Sequence, residues 1–348
     1  MTALLEMKQK LKNFYGQNEG YLTPIFKFAL AFGYFWWIRT ELGMMERLAN
    51  PFVLIITALL CSILPSNAIM WIGFLFILGH CYAVGAAVAG FVAALLLLMV
   101  ILGLRFSGKY NLIFPLTPLG VTCKLSALVP IGSGLLGNPV AAVPVGCSVV
   151  FYYLIEFIKE QEAILRSEDM EIQRALKLLM DGLVKNQDMW MFLITFVGVL
   201  LLVYLIRTRS FDYAWRVAII VGAVVYLFMM LAGGLFLGLE VEMVFLAAST
   251  ILSALIGVAL EFFAFGGDYT RTEHLEYEDD DYFYYVKAVP KVSISTSKRK
   301  IKKINGVSQK TGEIPNLQEQ EQPMPRQAAP QGAQVDFEKK LEESLKDL

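Results

Sequence analysis

Three ionisable residues lie inside long apolar stretches of the sequence, where an ionisable side chain is costly and suggests a function. His80 lies deep in its stretch and could relay protons or bind a cation. Lys27 and Glu261 lie near the ends of theirs, where a long side chain can reach the lipid headgroups. The alternative for His80 is a neutral, hydrogen-bonded residue of a helical bundle. Because Cys81 follows His80 directly, the two side chains point to different helix faces and form no metal pair.

The sequence carries no recognisable catalytic, nucleotide-binding or metal-binding signature, so we expect no enzymatic activity, no cofactor and no nucleic-acid partner. It has no P-loop, and any active transport would therefore depend on an ion gradient or on a separate ATPase subunit. The stretch Phe265-Gly-Gly-Asp268 is similar to the GxGD motif of intramembrane aspartyl proteases. Their chemistry needs two carboxylates that share a proton, and no second intramembrane aspartate is present. The acidic run 278–281 lacks the spacing and the glycine of an EF-hand, so we expect a solvated acidic surface there.

The composition predicts an integral membrane protein. Hydrophobic residues make up 56% of the 348 residues and charged residues 18%, with a mean hydropathy of +0.55, whereas soluble domains are about 45–50% apolar. The excess collects in continuous runs between residues 22 and 266. About 20 helical residues cross a hydrocarbon core of roughly 30 Å. Since only helices or closed barrels span lipid, and these runs do not alternate, we predict an all-α transmembrane bundle.

About eight helical spans fit these runs, and the charges of the loops orient them. The predicted spans are 22–38, 48–64, 67–84, 87–104, 139–158, 189–206, 214–238 and 243–265. Lys and Arg favour cytoplasmic loops, and they concentrate in the N-terminal segment, after the fourth and sixth spans and in the tail. Eight spans with both termini in the cytoplasm place all four regions inside the cell. Lys124 is counted in the second of these regions, while Arg39 and Arg47 are placed outside.

Two amphipathic segments accompany the predicted transmembrane domain 22–266. Residues 1–21 combine leucines with lysines, and they either lie on the anionic inner leaflet of the lipid bilayer or only set the topology. Residues 159–188 lie outside in this scheme and carry apolar residues at helical spacing. They predict an amphipathic helix that packs on the outer surface of the bundle or docks a partner there.

The stretch 112–146 is apolar enough for membrane depth but is interrupted repeatedly by proline and glycine. Proline removes a backbone N–H and clashes with the preceding turn, so a continuous helix is excluded. Broken backbone at membrane depth must be buried in protein or line a cavity, and half-helices of this kind form substrate sites in several transporter folds. The stretch is therefore either a re-entrant element at a substrate path or a pair of kinked structural helices. The candidate path residues are Pro130, Gly132, Gly134, Gly137, Asn138, Pro139 and Pro144, together with His80.

The tail, residues 267–348, contains no spanning run and is predicted to be largely disordered, since it is rich in Gln, Glu, Lys and Pro. Two parts are predicted to be structured, a strand-like segment at 282–295 and a terminal helix at 335–348. Strand-like peptides can add an edge strand to a sheet, so the tail could dock a cytoplasmic or membrane protein. The alternative is a tail that binds no partner. The candidate docking residues are Tyr282, Tyr284, Val286, Phe337, Leu341 and Leu345.

Three segments carry a resemblance to a known group of proteins: GLLGNPVAAVPVGCSVVFYYL (134–154), SFDYAWRVAIIVGA (210–223) and EDDDYFYYVKAVPK (278–291). In these segments the chain resembles uncharacterised polytopic integral membrane proteins of anaerobic Firmicutes (Lachnospiraceae-type clostridia). The acidic-tyrosine tail segment is the most distinctive of the three. The resemblance implies a bacterial cell membrane, and it brings no assigned activity and no site residues.

Two functions follow from the parts of the sequence that stand out. The broken stretch 112–146 favours a transporter or permease-type component for a small solute. The tail and the outer helix favour a membrane scaffold that recruits partners and transports nothing. A polar cavity at mid-membrane beside 112–146 would favour the first function, and a solid, dry bundle would favour the second.

Overall fold

The structure, a computed structural model, describes residues 2–107, 110–167, 171–238, 242–264, 273–279 and 281–288. Apart from one hairpin, these residues are helical, as the sequence predicts. The helices are α1 (Thr2–Glu41), α2 (Pro51–Ile63), α3 (Asn67–Val84), α4 (Ala86–Ser107), α5 (Ile113–Thr122), α6 (Leu128–Leu136), α7 (Ala142–Glu160), α8 (Glu162–Leu165), α9 (Ile172–Val184), α10 (Gln187–Arg207), α11 (Ala214–Leu237) and α12 (Met243–Ala264). A 3-10 turn covers Pro139–Ala141, and the strands are β1 (Glu273–Glu278) and β2 (Phe283–Ala288).

Five helical stretches among the described residues are long and apolar enough to cross a membrane. They are Asn67–Val84, Pro139–Glu160, Gln187–Arg207, Ala214–Leu237 and Met243–Ala264. The most apolar stretch of α12 has a mean hydropathy of 2.3, yet only 17% of that stretch is buried inside the protein. Large contiguous apolar surfaces of this kind are rare on soluble monomers and are typical of helices that face lipid.

Helix α1 joins two segments that the sequence analysis separates, the basic segment 1–21 and the first predicted span. The helix is interrupted at Asn18, where φ is −114° and ψ is 18°. Pro24 lies six residues further on and lacks the N–H that would complete the helical hydrogen bonds there. The two halves of α1 therefore meet at a weak point of the backbone hydrogen-bond ladder, close to the predicted boundary at residue 21.

The proline- and glycine-rich stretch is divided into two short helices, α5 and α6, followed by the 3-10 turn and α7. Helix α5 has ten residues and α6 has nine, so each is about 15 Å long or slightly less. The turn between them is closed by two backbone hydrogen bonds, from Lys124 N to Val121 O at 3.0 Å and from Leu125 N to Gly120 O at 2.7 Å. This is the hydrogen-bond pattern of a Schellman motif, in which the residue in the position of Lys124 is usually glycine.

Helix α6 is surrounded by α10, α11 and α12 and is held to them through close contacts at glycine. A β-carbon at Gly134 would lie 2.8 Å from both Leu200 O and Val203 Cβ, so α6 and α10 approach each other almost backbone to backbone. The end of α6 is fixed by Arg207, which donates from Nη1 to Leu135 O and from Nη2 to Gly137 O, the latter at 2.8 Å. These bonds satisfy carbonyl groups that the end of a helix leaves without partners.

Helix α9 lies within the segment predicted as an amphipathic helix, and it packs against α4 and α7. Its apolar face is buried at Ala175, Leu179 and Leu183. A β-carbon at Gly182 would overlap the ring of Phe157, so the helix lies directly on that side chain. Packing on the bundle accounts for the apolar spacing in this segment.

The hairpin β1–β2 is antiparallel, with Glu273 opposite Ala288 and Glu278 opposite Phe283. Strand β2 lies in the segment predicted as strand-like, whereas β1 has no counterpart among the predicted elements. Residues 289–295, the predicted terminal helix 335–348 and the docking candidates Phe337, Leu341 and Leu345 lie outside the described residues.

Candidate functional site

A cavity of about 1010 Å³ lies between α7, α10, α11, α12 and the turn that joins α5 to α6. At one end of the bundle it is lined by Glu160 of α7, Gln187 of α10 and Glu242 beside α12. It extends to Tyr152 and Tyr226, which lie near the middle of α7 and α11. The cavity therefore reaches about half-way along these helices, and its volume is that of a site for a small organic molecule.

Charged groups of both signs line the cavity. Four carboxylates, from Glu156, Glu160, Asp188 and Glu242, lie on three sides, and the ammonium group of Lys124 comes from the α5–α6 turn. The ion pairs between described residues join other side chains, so none of these five charges has a described partner within ion-pair distance. The charge of Glu156 is repelled by Glu160, Glu41 and Asp188 and is attracted by Lys159. Lys124, Glu160, Asp188 and Glu242 are exposed, and Glu156 is half-buried.

The α5–α6 turn places Lys124 in the cavity. Its φ is 58°, in the left-handed region that side chains other than glycine rarely adopt. Two residues on, Ser126 Oγ lies 2.7 Å from the hydroxyl oxygen of Tyr226, and this hydrogen bond joins the turn to the middle of α11. Tyr226 is fully buried. The turn is therefore anchored at the inner end of the cavity, with Lys124 beside that anchor.

Aromatic rings form much of the apolar wall. Tyr153 contacts Tyr152 edge-on, with ring centroids 5.4 Å apart, and it contacts Phe192 at 5.5 Å. Behind the wall, Phe196, which is buried and does not line the cavity, continues this row of rings to Tyr226, at 6.2 Å. The face of an aromatic ring attracts cations, so these walls add to the attraction that the carboxylates exert on a positively charged group.

The predicted path residues of the stretch 112–146 do not line this cavity, although Val121, Lys124 and Ser126 of the same stretch do. The predicted residues serve the packing of α6, the 3-10 turn and α7. Pro130, Gly134 and Gly137 are buried, Gly132 is half-buried, and Pro144 is buried in α7. Asn138 and Pro139 are exposed at the 3-10 turn, where Asn138 N donates to the Tyr110 hydroxyl at 3.0 Å.

The ionisable residues that the sequence analysis singled out make local structural contacts away from the cavity. His80 is fully buried, and its Nδ1 accepts a hydrogen bond from Met45 N at 3.1 Å, the arrangement of a neutral bundle histidine. Lys27 Nζ donates to Leu64 O, the carbonyl that follows α2, at 3.2 Å. Glu261 Oε1 accepts from Arg216 Nε at 3.3 Å.

Two signals in the sequence mark the cavity. Glu156 lies inside the predicted fifth span, 139–158, where a carboxylate is costly and suggests a function. Glu160 follows it at a distance of four residues, on the same helix face. Lys124 was counted as a cytoplasmic charge, whereas the structure places it in one cavity with Glu160 and Asp188, which the topology scheme assigns to the opposite side. Asp188 lies in the first turn of α10.

The chain matches no protein-family model, no characterised protein and no solved structure with which it was compared. Within the described residues, no group of three or more His, Cys, Asp or Glu side chains is arranged to hold a metal ion. The charged cavity and the turn that enters it are the features of the described residues that indicate a function.

Proposed function

We propose that the protein is a multi-pass protein of the bacterial cell membrane that acts as a transporter or permease-type component for a small solute. The observation that supports this function is the charged cavity of about 1010 Å³, into which the α5–α6 turn projects Lys124. A dry bundle would favour a purely structural role. The bundle here instead contains a polar space, and the broken stretch 112–146 forms part of its lining. Half-helices line the substrate sites of many transporters in the same way.

The lengths of α5 and α6 favour a re-entrant pair. At about 1.5 Å per residue, ten residues reach about half-way across a hydrocarbon core of roughly 30 Å. On this proposal both helices enter from the cytoplasmic side and the turn at Lys124 lies at mid-membrane. The cavity then opens outward, so Lys124 and Glu160 can line it together. Helices α1, α2, α3, α4, α7, α10, α11 and α12 are the eight spans, with both termini in the cytoplasm.

The hydrogen bonds at the end of α6 are consistent with this placement. Backbone that is irregular at membrane depth must have its polar groups satisfied by protein or by cavity water. Arg207 supplies two donors to Leu135 O and Gly137 O, and its guanidinium lies 5.3 Å from the ring centroids of both Tyr204 and Trp215. These aromatic residues suit the level of the headgroups, where α10 ends and α11 begins.

Labelling of a single cysteine from each side of the membrane tests the transport role. The protein would carry Ser126→Cys, with the four native cysteines replaced by alanine, and would be oriented uniformly in sealed liposomes. A transporter alternates the access of its site between the two sides. We therefore expect a membrane-impermeant thiol reagent to modify Ser126→Cys when it is added to either side.

Thr195→Cys is the matched control, because Thr195 is buried in α10 and does not line the cavity. It should react from neither side. Reaction of Ser126→Cys from one side only would contradict a transport path. The cavity would then open to that side alone and would carry no solute across the membrane.

A scaffold is the second candidate, and the hairpin favours it. Tyr282, Phe283 and Tyr285 are 66%, 69% and 77% exposed, and β2 pairs only with β1 among the described strands. An exposed strand edge with aromatic side chains is suited to pairing with a partner's strand. Co-purification with the full-length chain should then recover proteins that a chain ending at Gly267 does not recover, and identical sets from the two would contradict a docking role for the tail.

A further inference from the structure

Negative charges outnumber positive charges in the lining of the cavity, and this excess limits the class of solute that can bind. Among the described lining residues, Lys124 is opposed by four carboxylates. Low-dielectric walls focus the field of such a cavity, so it attracts cations and repels anions. A solute that neutralises this field carries more amine groups than carboxylates.

The position of Lys124 adds a second requirement. Lys124 comes from the α5–α6 turn, whereas Glu156 and Asp188 come from α7 and α10, and within the described residues these groups form no ion pair with one another. Opposite charges that line one cavity without contact leave space for a solute with both charges to bridge them. Ser126, two residues from the lysine, is half-buried and also lines the cavity, and its hydroxyl adds a polar partner for an anionic group.

We propose that the cavity binds a small amino-acid-like solute with an excess of amines. Its carboxylate lies at the α5–α6 turn beside Lys124, and its amines lie towards Glu156 and Asp188. The inference rests on the proposed function and names the solute class of the same site. The aromatic wall formed by Tyr152, Tyr153 and Phe192 contacts the hydrocarbon part of the solute and attracts its ammonium groups.

The backbone at Lys124 supports a role for its side chain. Its φ of 58° is tolerated by glycine without strain, and a Schellman motif usually has glycine at this position. Strained backbone persists where the surrounding structure holds it, and such positions cluster at functional sites. An ammonium group projected into the cavity is a function that glycine could not supply.

Equilibrium binding of four radiolabelled probes to the full-length protein in liposomes tests the solute class. Lysine carries two amines and a carboxylate, cadaverine lacks the carboxylate, norleucine lacks the side-chain amine, and glutamate reverses the excess charge. We expect lysine to bind about tenfold or more tightly than cadaverine or norleucine, since each missing group removes a charge-assisted contact. Glutamate should bind most weakly of the four.

Two variants assign the two ends of the solute. Lys124→Met should abolish the preference for lysine over cadaverine, and Asp188→Asn should reduce the preference for lysine over norleucine. Asp181→Asn is the matched control, because Asp181 lies on α9, is paired with Lys185 at 3.2 Å and does not line the cavity. It should leave all four affinities unchanged.

The outcomes separate the solute class from the transport role. Tighter binding of glutamate, equal binding of lysine and norleucine, or no binding of any probe would overturn the class, even where Ser126→Cys reacts from both sides. Binding of lysine with the expected preferences, combined with reaction of Ser126→Cys from one side only, would retain the class and overturn the transport role.

Discussion

Lys124 combines a strained backbone with a charged side chain in a cavity. Its φ of 58° lies in the left-handed region, which costs roughly 1–2 kcal/mol for a residue with a β-carbon. The lysine meanwhile lines one cavity with four carboxylates, and none of them forms an ion pair with a described side chain. Stability therefore favours glycine at this position, whereas the proposed binding role requires lysine. Substitutions at position 124 can separate the two effects.

Lys124→Gly should raise the free energy of unfolding by about 1 kcal/mol, because glycine adopts a positive φ without strain and loses only part of this gain to chain entropy. Lys124→Met keeps the strained backbone and should leave stability close to that of the native protein. Both variants should weaken lysine binding. Thermal unfolding in detergent micelles measures the difference, and equal melting temperatures for the two variants would contradict strain at this turn.

Asp279 organises the turn of the hairpin. Its carboxylate accepts hydrogen bonds from Asp281 N at 3.0 Å, from the Tyr284 hydroxyl at 2.9 Å and from Tyr282 N at 2.6 Å. These donors, the Asp281 N–H first among them, favour the charged carboxylate and hold the pKa of Asp279 below its usual value. A carboxyl group with a lowered pKa in the folded hairpin contributes stability above its unfolded pKa, and that contribution is lost as the pH falls through the folded value.

Asp279→Asn should therefore loosen the hairpin at neutral pH and remove the part of its pH dependence that arises below the usual aspartate pKa of about 3.9. Limited proteolysis next to Tyr282 and Tyr284 measures the opening. Asp281→Asn is the control, because Asp281 contributes its backbone N–H to the turn, and it should be cleaved at the native rate. Equal cleavage of the two variants would show that the Asp279 carboxylate does not hold the turn.

The position of the short helix α6 depends on its contacts with the other helices of the bundle. It packs against α10, α11 and α12, and its end is fixed by Arg207. Close approach to α10 depends on Gly134, because a β-carbon there would meet Leu200 O at 2.8 Å. The α5–α6 turn, and with it Lys124, keeps its place in the cavity only while α6 keeps this contact.

Gly134→Ala should lower the free energy of unfolding by about 1–3 kcal/mol, since the backbone of α10 must move to accept the added methyl group. Gly198→Ala lies on α10 itself, where an added β-carbon meets nothing within 4 Å, and it should cause no loss. Chemical denaturation of the two variants in micelles measures the difference. Equal stability would show that α6 and α10 are less closely packed than the structure indicates.

Elements with a strong local signal could be predicted from the sequence. Continuous apolar runs predict α7, α10, α11 and α12, because the composition of each run alone decides whether it suits lipid. The prolines and glycines of 112–146 predict that this stretch is broken, although Pro115 and Pro118 lie inside α5 and the break comes after them, at 123–127. Strand β1 has no counterpart among the predicted elements, since an alternating pattern covers only residues 275–278 and the strand gains its partner from β2.

For the whole molecule, the cavity could not be predicted, because it arises where distant parts of the chain meet. Ser126 and Tyr226 are one hundred residues apart in the sequence and 2.7 Å apart in space. Counting basic residues places Lys124 with the cytoplasmic loops, since the rule sums charges along the chain and does not detect which parts of the chain fold together. Glu156 gives a signal as a carboxylate inside an apolar run, but the periodicity of α7 does not show which neighbours face it.

In the proposed topology of the whole molecule, the α5–α6 turn lies inside the membrane in a space filled with water. The exposed native Cys123, next to Lys124, allows a direct measurement. A nitroxide would be attached to Cys123 in lipid bilayers, with Cys61, Cys81 and Cys147 replaced by alanine, and its collisions with a water-soluble relaxation agent and with molecular oxygen would be compared. We predict frequent collisions with the water-soluble agent at a depth near mid-membrane. A nitroxide at the headgroup level, or one at mid-depth that oxygen alone reaches, would contradict this account.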